Sequence, residues 1–431
     1  MGTGKLRLSQ CMIVKNEEKN IEQALSWGKE IMWEQIVVDT GSTDRTVEMA
    51  EQIGAKVYHF EWIDDFAAAK NFAIEQASGN WIVFLDADEY MMPEDVEKLP
   101  DLIKKAEEQR LEVLRTLMIQ MGDDSHSVNR HCRIFKNTTR IRYQKPIHEQ
   151  LYYNGSFIEN HVLDATSLSI YHTGYNVDLS EEKSRRNIRI LLKEIEKRPD
   201  DYDVMGYLGD AYLRIEEKKA EDWYRKALPY IFQVRLGSER DIQTVVAMML
   251  IFYERGVEAE QQLIKLYQKI INCFAGFYDA DYILGWFYAK KKDFQKGEYY
   301  LERAVTLMEQ YGTKTYNPLM AANLPDTWRT LALCYYMNGK LEKSVNCCVN
   351  MLTVDKTHVS TLEVLLRCFK NEAPQAVVSF LQKLYDFNNI SDRIVMLSGA
   401  IRAGEDGKRV LNVLRQYCTE EELNLLDKKR K

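Results

Sequence analysis

Acidic and amide side chains cluster at three places in the first part of this 431-residue chain. Each cluster directly follows a short apolar run, and the clusters occupy residues 15–18, 39–44 and 86–89. Carboxylates that lie close together repel one another unless cations or hydrogen-bond donors lie between them. A divalent cation that also binds phosphate would allow the three clusters to share one site.

The elements that must position these clusters are short strands and helices in alternation. Apolar runs predict strands at residues 9–14, 34–39, 55–60 and 81–85, and amphipathic stretches predict helices at 21–27, 46–53 and 66–77. Gly54 and Gly79 follow the second and third helices, where helices commonly end. The alternation predicts βαβ units and a parallel sheet. Ligands bind such a sheet beyond the carboxyl ends of its strands, where the three acidic clusters would lie.

Two common phosphate-binding signatures are absent from this half of the sequence. No Gly-x-Gly-x-x-Gly follows the first predicted strand, which argues against a nicotinamide-dependent dehydrogenase. No Walker phosphate loop occurs either. The pattern therefore favours a nucleotide held by carboxylates and a metal ion instead of by a glycine-rich loop.

The second half, from about residue 178, shows long helical patterns with short polar connectors and no strand signals. Residues 328–335 match the Trp-x-x-Leu-Gly-x-x-Tyr signature of tetratricopeptide repeats, with Ala332 in place of glycine. The core of the signature recurs around Gly209 and Gly285, although the spacing is irregular. Small residues at these positions let paired helices approach closely. The alternative is an irregular helical bundle.

Composition limits the class of protein. Lys and Arg total 58 against 65 Asp and Glu, a net charge of -7, which argues against a dedicated nucleic-acid-binding protein because phosphate contacts need clustered positive charge. The eight cysteines form no Cys-x-x-Cys pair. No apolar stretch approaches the roughly 20 residues of a bilayer-spanning helix. We therefore expect a reduced, cytoplasmic protein without a transmembrane segment.

Three ordered motifs resemble those of the family 2 glycosyltransferases. They are Met-Ile-Val-Lys-Asn-Glu at residues 12–17, Val-Val-Asp-Thr-Gly-Ser-Thr-Asp at 37–44, and Phe-Leu-Asp-Ala-Asp-Glu at 84–89. The resemblance covers about residues 1–175 and implies the α/β A-type nucleotide-diphospho-sugar transferase fold. With its repeat-like tail, the chain also resembles bacterial transferases that include the S-glycosyltransferases of glycocin bacteriocins, which put a sugar on a peptide cysteine. We expect a catalytic domain at residues 1–177 and a helical region at 178–431 for acceptor binding or dimerisation.

The resemblance implies roles for three aspartates. Asp39 would accept a hydrogen bond from N3–H of the donor's uracil or thymine. Asp86 would hold the ribose hydroxyls, and Asp88 would bind Mg²⁺ or Mn²⁺ that bridges the two phosphates. Side chains two residues apart on an extended segment point the same way, which fits this division of roles.

Four further residues are expected at the nucleotide. Lys70 stands where the family often has arginine, and it would offer a point charge to a phosphate or carboxylate. Arg133 would either meet the diphosphate or be a solvated charge at a strand edge. Asn16 and Glu17 would either contact the nucleotide or merely begin a helix.

The catalytic residues are expected late in the first domain. Glu149 is the expected base in an inverting transfer, and His148 beside it belongs to the same catalytic segment. His172 is the first candidate for a second metal ligand, and His148 is the next. The alternatives are a structural ion pair for Glu149 and a buried, hydrogen-bonded histidine for His172.

Together these features predict a metal-dependent, inverting enzyme that moves a hexose from UDP-glucose or a similar nucleotide sugar to a peptide or protein, which may carry the sugar on a cysteine thiol. Two alternatives remain open. One is transfer to a cell-wall or lipid-linked glycan, and the other is a non-catalytic repeat adaptor with a nucleotide-binding domain. A homodimer through the helical region is a further expectation.

Overall fold

The computed structural model describes residues 5–121, 128–173, 181–233, 238–274, 276–312 and 319–419. The chain divides into two compact units, Met1–Pro199 and Asp200–Lys431. The domain boundary expected between residues 177 and 178 lies outside the described residues. Helix α6 (Glu181–Lys197) belongs to the first unit.

The first unit contains a mixed eight-stranded sheet in the order β3-β2-β1-β4-β7-β6-β11-β5 and a smaller sheet in the order β10-β9-β8. The strands are β1 Leu8–Val14, β2 Met32–Asp39, β3 Lys56–His59, β4 Trp81–Phe84, β5 Glu89–Tyr90, β6 Val113–Gln120, β7 Val128–Lys136, β8 Ile141–Gln144, β9 Gln150–Tyr153, β10 Ser156–Phe157 and β11 Val162–His172.

The prediction of a parallel sheet is correct only for the first four strands. β1 pairs in parallel with β2 and β4, and β2 pairs in parallel with β3. β7, however, is antiparallel to both β4 and β6. Only residues 121–127 separate β6 from β7, whereas a parallel connection needs about a dozen residues or more. The sheet is therefore mixed.

The helices of the first unit lie between these strands. They are α1 Ile21–Ser26, α2 Thr46–Ile53, α3 Phe66–Glu75, α4 Pro93–Val96, α5 Leu99–Glu108 and α6. Gly54 ends α2 in the left-handed conformation at φ 98°, and its N–H donates to the carbonyls of Ala50 and Glu51. Asp65 begins α3, because its side chain accepts a hydrogen bond from the Ala68 N–H at 2.8 Å. The three predicted helices are thus confirmed: α2 has the predicted bounds, and α1 and α3 end one and two residues earlier than predicted.

Helix α6 is fastened to the segment that precedes α3. Arg189 and Lys193 both contact the Asp64 carboxylate, at 2.8 and 2.7 Å. Asp64 itself has a left-handed backbone with φ 62°. Two cations on one carboxylate explain why α6 is part of the first unit although the sequence placed it in the helical half.

Glu34 in β2 ties several strands together in the interior of the first unit. Its carboxylate accepts hydrogen bonds from Ser9 Oγ at 2.7 Å, Ser78 N–H at 2.6 Å and Lys56 Nζ at 2.7 Å. Burial alone would raise the pKa of this carboxyl, but the hydrogen bonds from Lys56, Ser78 and Ser9 outweigh burial and lower the pKa to about 2.

Glu34→Gln should destabilise the first unit by about 2 kcal/mol at neutral pH. Because the folded pKa is lower than the roughly 4.3 of an unfolded chain, the stabilisation is fully present above that pH and is lost as pH falls towards 2. Urea unfolding at pH 7 and pH 3 measures the difference. The exposed Glu108→Gln is the control, and a deficit of Glu34→Gln that stays constant with pH would contradict the assignment.

Every regular element described in the second unit is helical, which confirms the predicted all-α region. The helices are α7 Tyr202–Leu213, α8 Glu217–Gln233, α9 Glu239–Arg255, α10 Glu260–Cys273, α11 Tyr278–Lys290, α12 Phe294–Tyr311, α13 Leu319–Ala322, α14 Leu324–Met337, α15 Leu341–Val354, α16 Val359–Cys368, α17 Pro374–Leu381, α18 Ile390–Arg402 and α19 Glu405–Leu414. Helices α7 and α8, α11 and α12, and α14 and α15 pack as pairs.

Small residues permit the close packing of these helix pairs. A Cβ on Gly209 would lie 2.1 Å from Cε1 of the buried Tyr224. A Cβ on Gly285 would lie 2.6 Å from Cγ of Leu301 on the neighbouring helix. Both glycines belong to the repeat signature, so their packing supports the repeat interpretation over an irregular bundle. Within the described ranges, no helix is long and apolar enough to cross a membrane.

Candidate active site

The acidic clusters meet at one edge of the large sheet because β1, β2 and β4 run in parallel. Val14 and Asp39 are register partners at the ends of β1 and β2. Asn16 follows with a left-handed backbone at φ 58°, and its N–H donates to Ser42 Oγ at 2.9 Å. Asn16 Oδ1 accepts the Thr43 N–H at 2.7 Å. Asn16 therefore braces the 39–44 loop from the side of β1.

The Asp39 carboxylate is held by backbone groups. It is only 5% exposed and accepts hydrogen bonds from the N–H groups of Gly41 at 3.1 Å and Ser42 at 3.0 Å. Gly41 has φ 107°, a conformation that suits glycine. His59 Nδ1 lies 3.5 Å from the second carboxylate oxygen. A carboxylate fixed in this way keeps acceptor capacity for a ligand N–H.

Two further acidic residues of the clusters serve the loops themselves. Asp44 accepts hydrogen bonds from the N–H groups of Thr46 at 3.0 Å and Glu18 at 3.2 Å. Glu17 donates its N–H to Thr46 Oγ1 at 2.7 Å, and its carboxylate accepts from the Asn20 amide at 2.8 Å. Burial raises the pKa of Glu17, the Asn20 hydrogen bond opposes the shift, and the negative charge of Asp88 adds to it.

Asp86 is clamped between two cations. Lys70 Nζ lies 3.2 Å from one carboxylate oxygen, and Arg133 Nη2 lies 2.9 Å from the other. Arg133 also pairs with Glu89, which is only 3% exposed and accepts the Asp86 N–H at 2.9 Å. Burial would raise the pKa of Asp86, but Lys70 and Arg133 hold the pKa below its ordinary value. Burial raises the pKa of Glu89, with Arg133 opposing and Asp86 adding to the shift.

Lys70 joins Asp86 to the expected base. Lys70 as a whole is 2% exposed, and its Nζ lies 2.8 Å from Glu149 Oε1. The rings of Phe84 and Tyr143 lie beneath the same ammonium, with centroids at 5.1 and 5.3 Å. Burial would lower the pKa of Lys70, yet the carboxylates of Asp86 and Glu149 outweigh burial and raise it. Lys70 therefore neutralises protein carboxylates in addition to any charge on a ligand.

The loop that carries Glu149 is attached to the start of α3. The carbonyl of Pro146 accepts the Phe66 N–H at 2.8 Å. Within this loop Lys145 and His148 have left-handed backbones, with φ 75° and 54°. The His148 side chain is exposed, and Glu149 is half-buried next to it.

Asp88 and His172 come together at the ends of β5 and β11. His172 Nε2 lies 3.2 Å from Asp88 Oδ2, and Nδ1 lies 2.6 Å from Gln120 Oε1. His172 and Glu89 are register partners, and the Thr173 N–H donates to the Asp88 carbonyl at 2.9 Å. Burial would lower the pKa of His172, but the contact with Asp88 outweighs burial and raises it.

These two side chains fit a divalent cation. An amide oxygen at Nδ1 makes that nitrogen a donor, so Nε2 is the atom that faces the carboxylate. A cation in place of the proton between Nε2 and Asp88 would take both as ligands. Across the described ranges, no group of three or more His, Cys, Asp or Glu side chains forms a metal site. Oxygens of a bound diphosphate or water would have to complete the coordination.

Three contributors to this site were not predicted from the sequence as site residues, namely Glu89, Gln120 and Tyr143. Glu89 directly follows the Asp-x-Asp motif, and its place in the same acidic cluster was the available signal. Gln120 and Tyr143 lie far along the chain, and no local pattern connects them to Asp88 or Lys70.

Part of the first unit is similar to a known protein family. Residues 9–161 match the model of the glycosyl transferase family 2. A TPR repeat-containing protein of Synechococcus elongatus is 32% identical over 239 residues, which are 53% of this chain and 58% of that protein. The SPbeta prophage-derived glycosyltransferase SunS of Bacillus subtilis is 27% identical over 223 residues, which are 50% of this chain and 52% of that protein. The chain thus spans about half the length of these curated relatives.

Solved structures with similar parts include S. aureus TarS 1-349 in complex with UDP-GlcNAc. It has a TM-score of 0.37 and 18% identity over 63% of this chain and 90% of that chain. Glucosyl-3-phosphoglycerate synthase from Mycobacterium tuberculosis, in complex with Mn²⁺, UDP-glucose and phosphoglyceric acid, has a TM-score of 0.23 and 23% identity over 26% of this chain and 44% of that chain.

The sequence match and the observed architecture agree with the expectations from the motifs. The resemblance to family 2 is confirmed for the region that carries all three acidic clusters. The α/β sheet of the first unit and the helices of the second confirm an A-type α/β domain followed by an all-α region. Residues 9–161 of this chain thus match the glycosyltransferase family 2 over the region that carries the three acidic clusters.

Proposed function

We propose that this chain is a metal-dependent, inverting glycosyltransferase that moves a hexose from UDP-glucose or a related nucleotide sugar to a polypeptide. The observation that carries the proposal is the meeting of Asp39, Asp86 and Asp88 at one sheet edge. The three aspartates lie within the matched family 2 region, Lys70 and Arg133 contact Asp86, and His172, which follows that region in the chain, contacts Asp88.

The donor nucleotide would be read by Asp39 and Asp86. Two backbone N–H groups already orient the Asp39 carboxylate, and its remaining lone pairs can accept the uracil N3–H. Asp86 contacts Lys70 and Arg133, but each carboxylate oxygen accepts more than one hydrogen bond. Ribose hydroxyls can therefore donate to it. Asn16 would act by holding the 39–44 loop.

Asp88 and His172 would hold Mg²⁺ or Mn²⁺, with Gln120 orienting the imidazole. When bound, the cation supplies positive charge to the diphosphate leaving group. Glu17 adds negative charge close to Asp88, which favours cation binding at this edge. In this proposal Arg133 positions Asp86 and Glu89 and has no direct contact with the diphosphate.

Glu149 is the proposed base, with His148 next to it as the alternative. Its Oε1 contacts Lys70, and part of its side chain is exposed, so the carboxylate is held in place and accessible. An inverting transfer needs a base on the face opposite the leaving group. A thiol acceptor makes the smallest demand on that base, because a free cysteine has a pKa of about 8.5. The helical unit would recruit the acceptor, or join two copies of the chain.

Donor hydrolysis tests the enzymatic proposal. The full chain with Mn²⁺ should release UDP from at least one of UDP-glucose, UDP-N-acetylglucosamine and UDP-galactose, and EDTA should abolish the release. GDP-mannose serves as the comparison donor and shows whether release depends on the pyrimidine base. If no donor yields a nucleoside diphosphate, the chain is a nucleotide-binding adaptor instead of an enzyme.

Intact-mass spectrometry tests the acceptor. A pair of otherwise identical peptides, one with a central cysteine and one with serine, is incubated with the chain, Mn²⁺ and the active donor. We expect one hexose mass on the cysteine peptide and none on the serine peptide. Modification of the serine peptide alone would refute thiol transfer, and modification of a glycan acceptor in place of both peptides would refute a polypeptide acceptor.

A further inference from the structure

A cavity of about 240 Å³ lies in the second unit, where α14, α16 and α18 meet. Leu333 and Met337 line it from α14, and Val364 lines it from α16. Met337 is 51% exposed, so the apolar wall reaches the surface. Pockets for complete small-molecule ligands are usually about 300–1,000 Å³, so this cavity suits one or two side chains of a larger ligand.

Other residues that line the cavity are cationic. Three arginines line it, Arg329 from α14, Arg367 from α16 and Arg402 from α18, together with the single carboxylate of Glu363. Arg367 Nη2 lies 2.9 Å from one Glu363 oxygen, and Arg402 Nε lies 3.2 Å from the other. Two guanidinium groups thus share one carboxylate.

Each of the three arginines has a carboxylate nearby, but these carboxylates do not use all the N–H donors of the guanidinium groups. Arg329 Nε contacts Asp326 at 3.1 Å, and Arg367 Nη1 lies at 3.9 Å from Asp406, beyond hydrogen-bonding distance. Arg402 is half-exposed, with 54% of its side chain accessible. An arginine has five N–H donors, so a single shared carboxylate leaves donors for a second anion.

We propose that this cavity anchors the acceptor polypeptide through an apolar side chain that is followed or preceded by an aspartate or glutamate. The apolar wall would take the first side chain, and the Arg402 and Arg367 guanidinium groups would take the carboxylate. A free anion would leave the apolar wall uncovered, and a purely apolar segment would leave the arginines unused. The inference rests on the proposed function, since it assumes that the acceptor is a polypeptide.

Equilibrium dialysis of the full chain tests the cavity without any donor. The probes are two pools of acetylated, amidated pentapeptides in which Leu, Phe or Tyr alternates either with Asp and Glu or with Lys and Arg. The acidic pool should be retained at least about tenfold better than the basic pool. Equal retention of the two pools would overturn the proposal. Binding of the chain to anionic phosphatidylglycerol vesicles would also overturn it if the acidic peptides fail to displace the vesicles.

Variants test whether the acidic peptides bind in the cavity. Arg402→Met keeps the aliphatic stem and should reduce retention of the acidic pool about tenfold, and Arg402→Lys should reduce it less. Arg409→Met, on the exposed surface of α19, should change nothing. Circular dichroism checks that each variant is folded, and a folded Arg402→Met that retains the acidic pool in full would refute the site. Donor hydrolysis by the unchanged chain without peptide tests the proposed function separately, so the two failures are distinguishable.

Discussion

Asp88→Asn is expected to reduce metal-dependent UDP release by about a thousandfold. The substitution keeps the size of the side chain but removes the charge that would bind the cation with His172. It also removes the negative partner that holds His172 Nε2 at 3.2 Å. The imidazole would keep its Gln120 contact and lose the contact with the Asp88 carboxylate. The rate of UDP release at saturating donor and increasing Mn²⁺ measures the effect.

A matched control separates this effect from a general loss of an aspartate. Asp101 lies exposed on α5, and Asp101→Asn should leave UDP release unchanged. The Thr173 hydrogen bond to the Asp88 backbone carbonyl remains in the variant, so the local strand pairing is expected to persist. A rate of UDP release by Asp88→Asn within tenfold of that of the original chain would contradict the proposal that Asp88 binds the metal.

Lys70→Met is expected to lower the free energy of unfolding of the first unit by about 3–5 kcal/mol. The ammonium lies within 3.2 Å of Asp86 and 2.8 Å of Glu149, and it is almost fully buried. Removing it leaves Asp86 with its Arg133 contact and leaves Glu149 without the ammonium that it contacts. Native-state hydrogen exchange at the amides of β1 and β4 measures the change in this unit separately from the helical one.

The ion-pair explanation also predicts how a double variant behaves in the same hydrogen-exchange measurement. In Lys70→Met/Glu149→Gln, one of the two stranded charges is gone, so the double variant should be more stable than Lys70→Met. Lys105→Met, at an exposed position of α5, should change stability by less than about 0.5 kcal/mol. If the double variant is less stable than Lys70→Met, the loss of stability comes from lost packing of the Lys70 side chain on Phe84 and Tyr143 and not from unneutralised charge.

Local patterns in the sequence were sufficient for the first half of the sheet. The apolar runs predicted strands where β1 to β4 are found, and the three acidic clusters lie at the ends of β1, β2 and β4. Gly54 has the left-handed conformation that its position after α2 predicted. The small residues Gly209 and Gly285 likewise fill the role expected of a helix-pair repeat.

What escaped prediction depends on contacts between distant residues. Arg133 reaches Asp86 and Glu89 because β7 inserts antiparallel to β4, a pairing that no periodicity specifies. Gln120 meets His172 across 52 residues of sequence for a similar reason, since β6 and β11 are neighbours. The roles of Lys70 and Glu149 as partners in one ion pair also needed the attachment of the 145–149 loop to α3.

The pairing of β11 with β5 has a consequence for biosynthesis. Thr173 and Asp88 are 85 residues apart, and His172 enters the site only when the last strand of the sheet has docked beside Glu89. On the ribosome, the Asp-x-Asp loop therefore emerges long before its imidazole partner. If Asp88 and His172 hold a cation as proposed, a nascent chain that ends before His172 would lack one of these two ligands, and metal binding would mark the completion of the first unit.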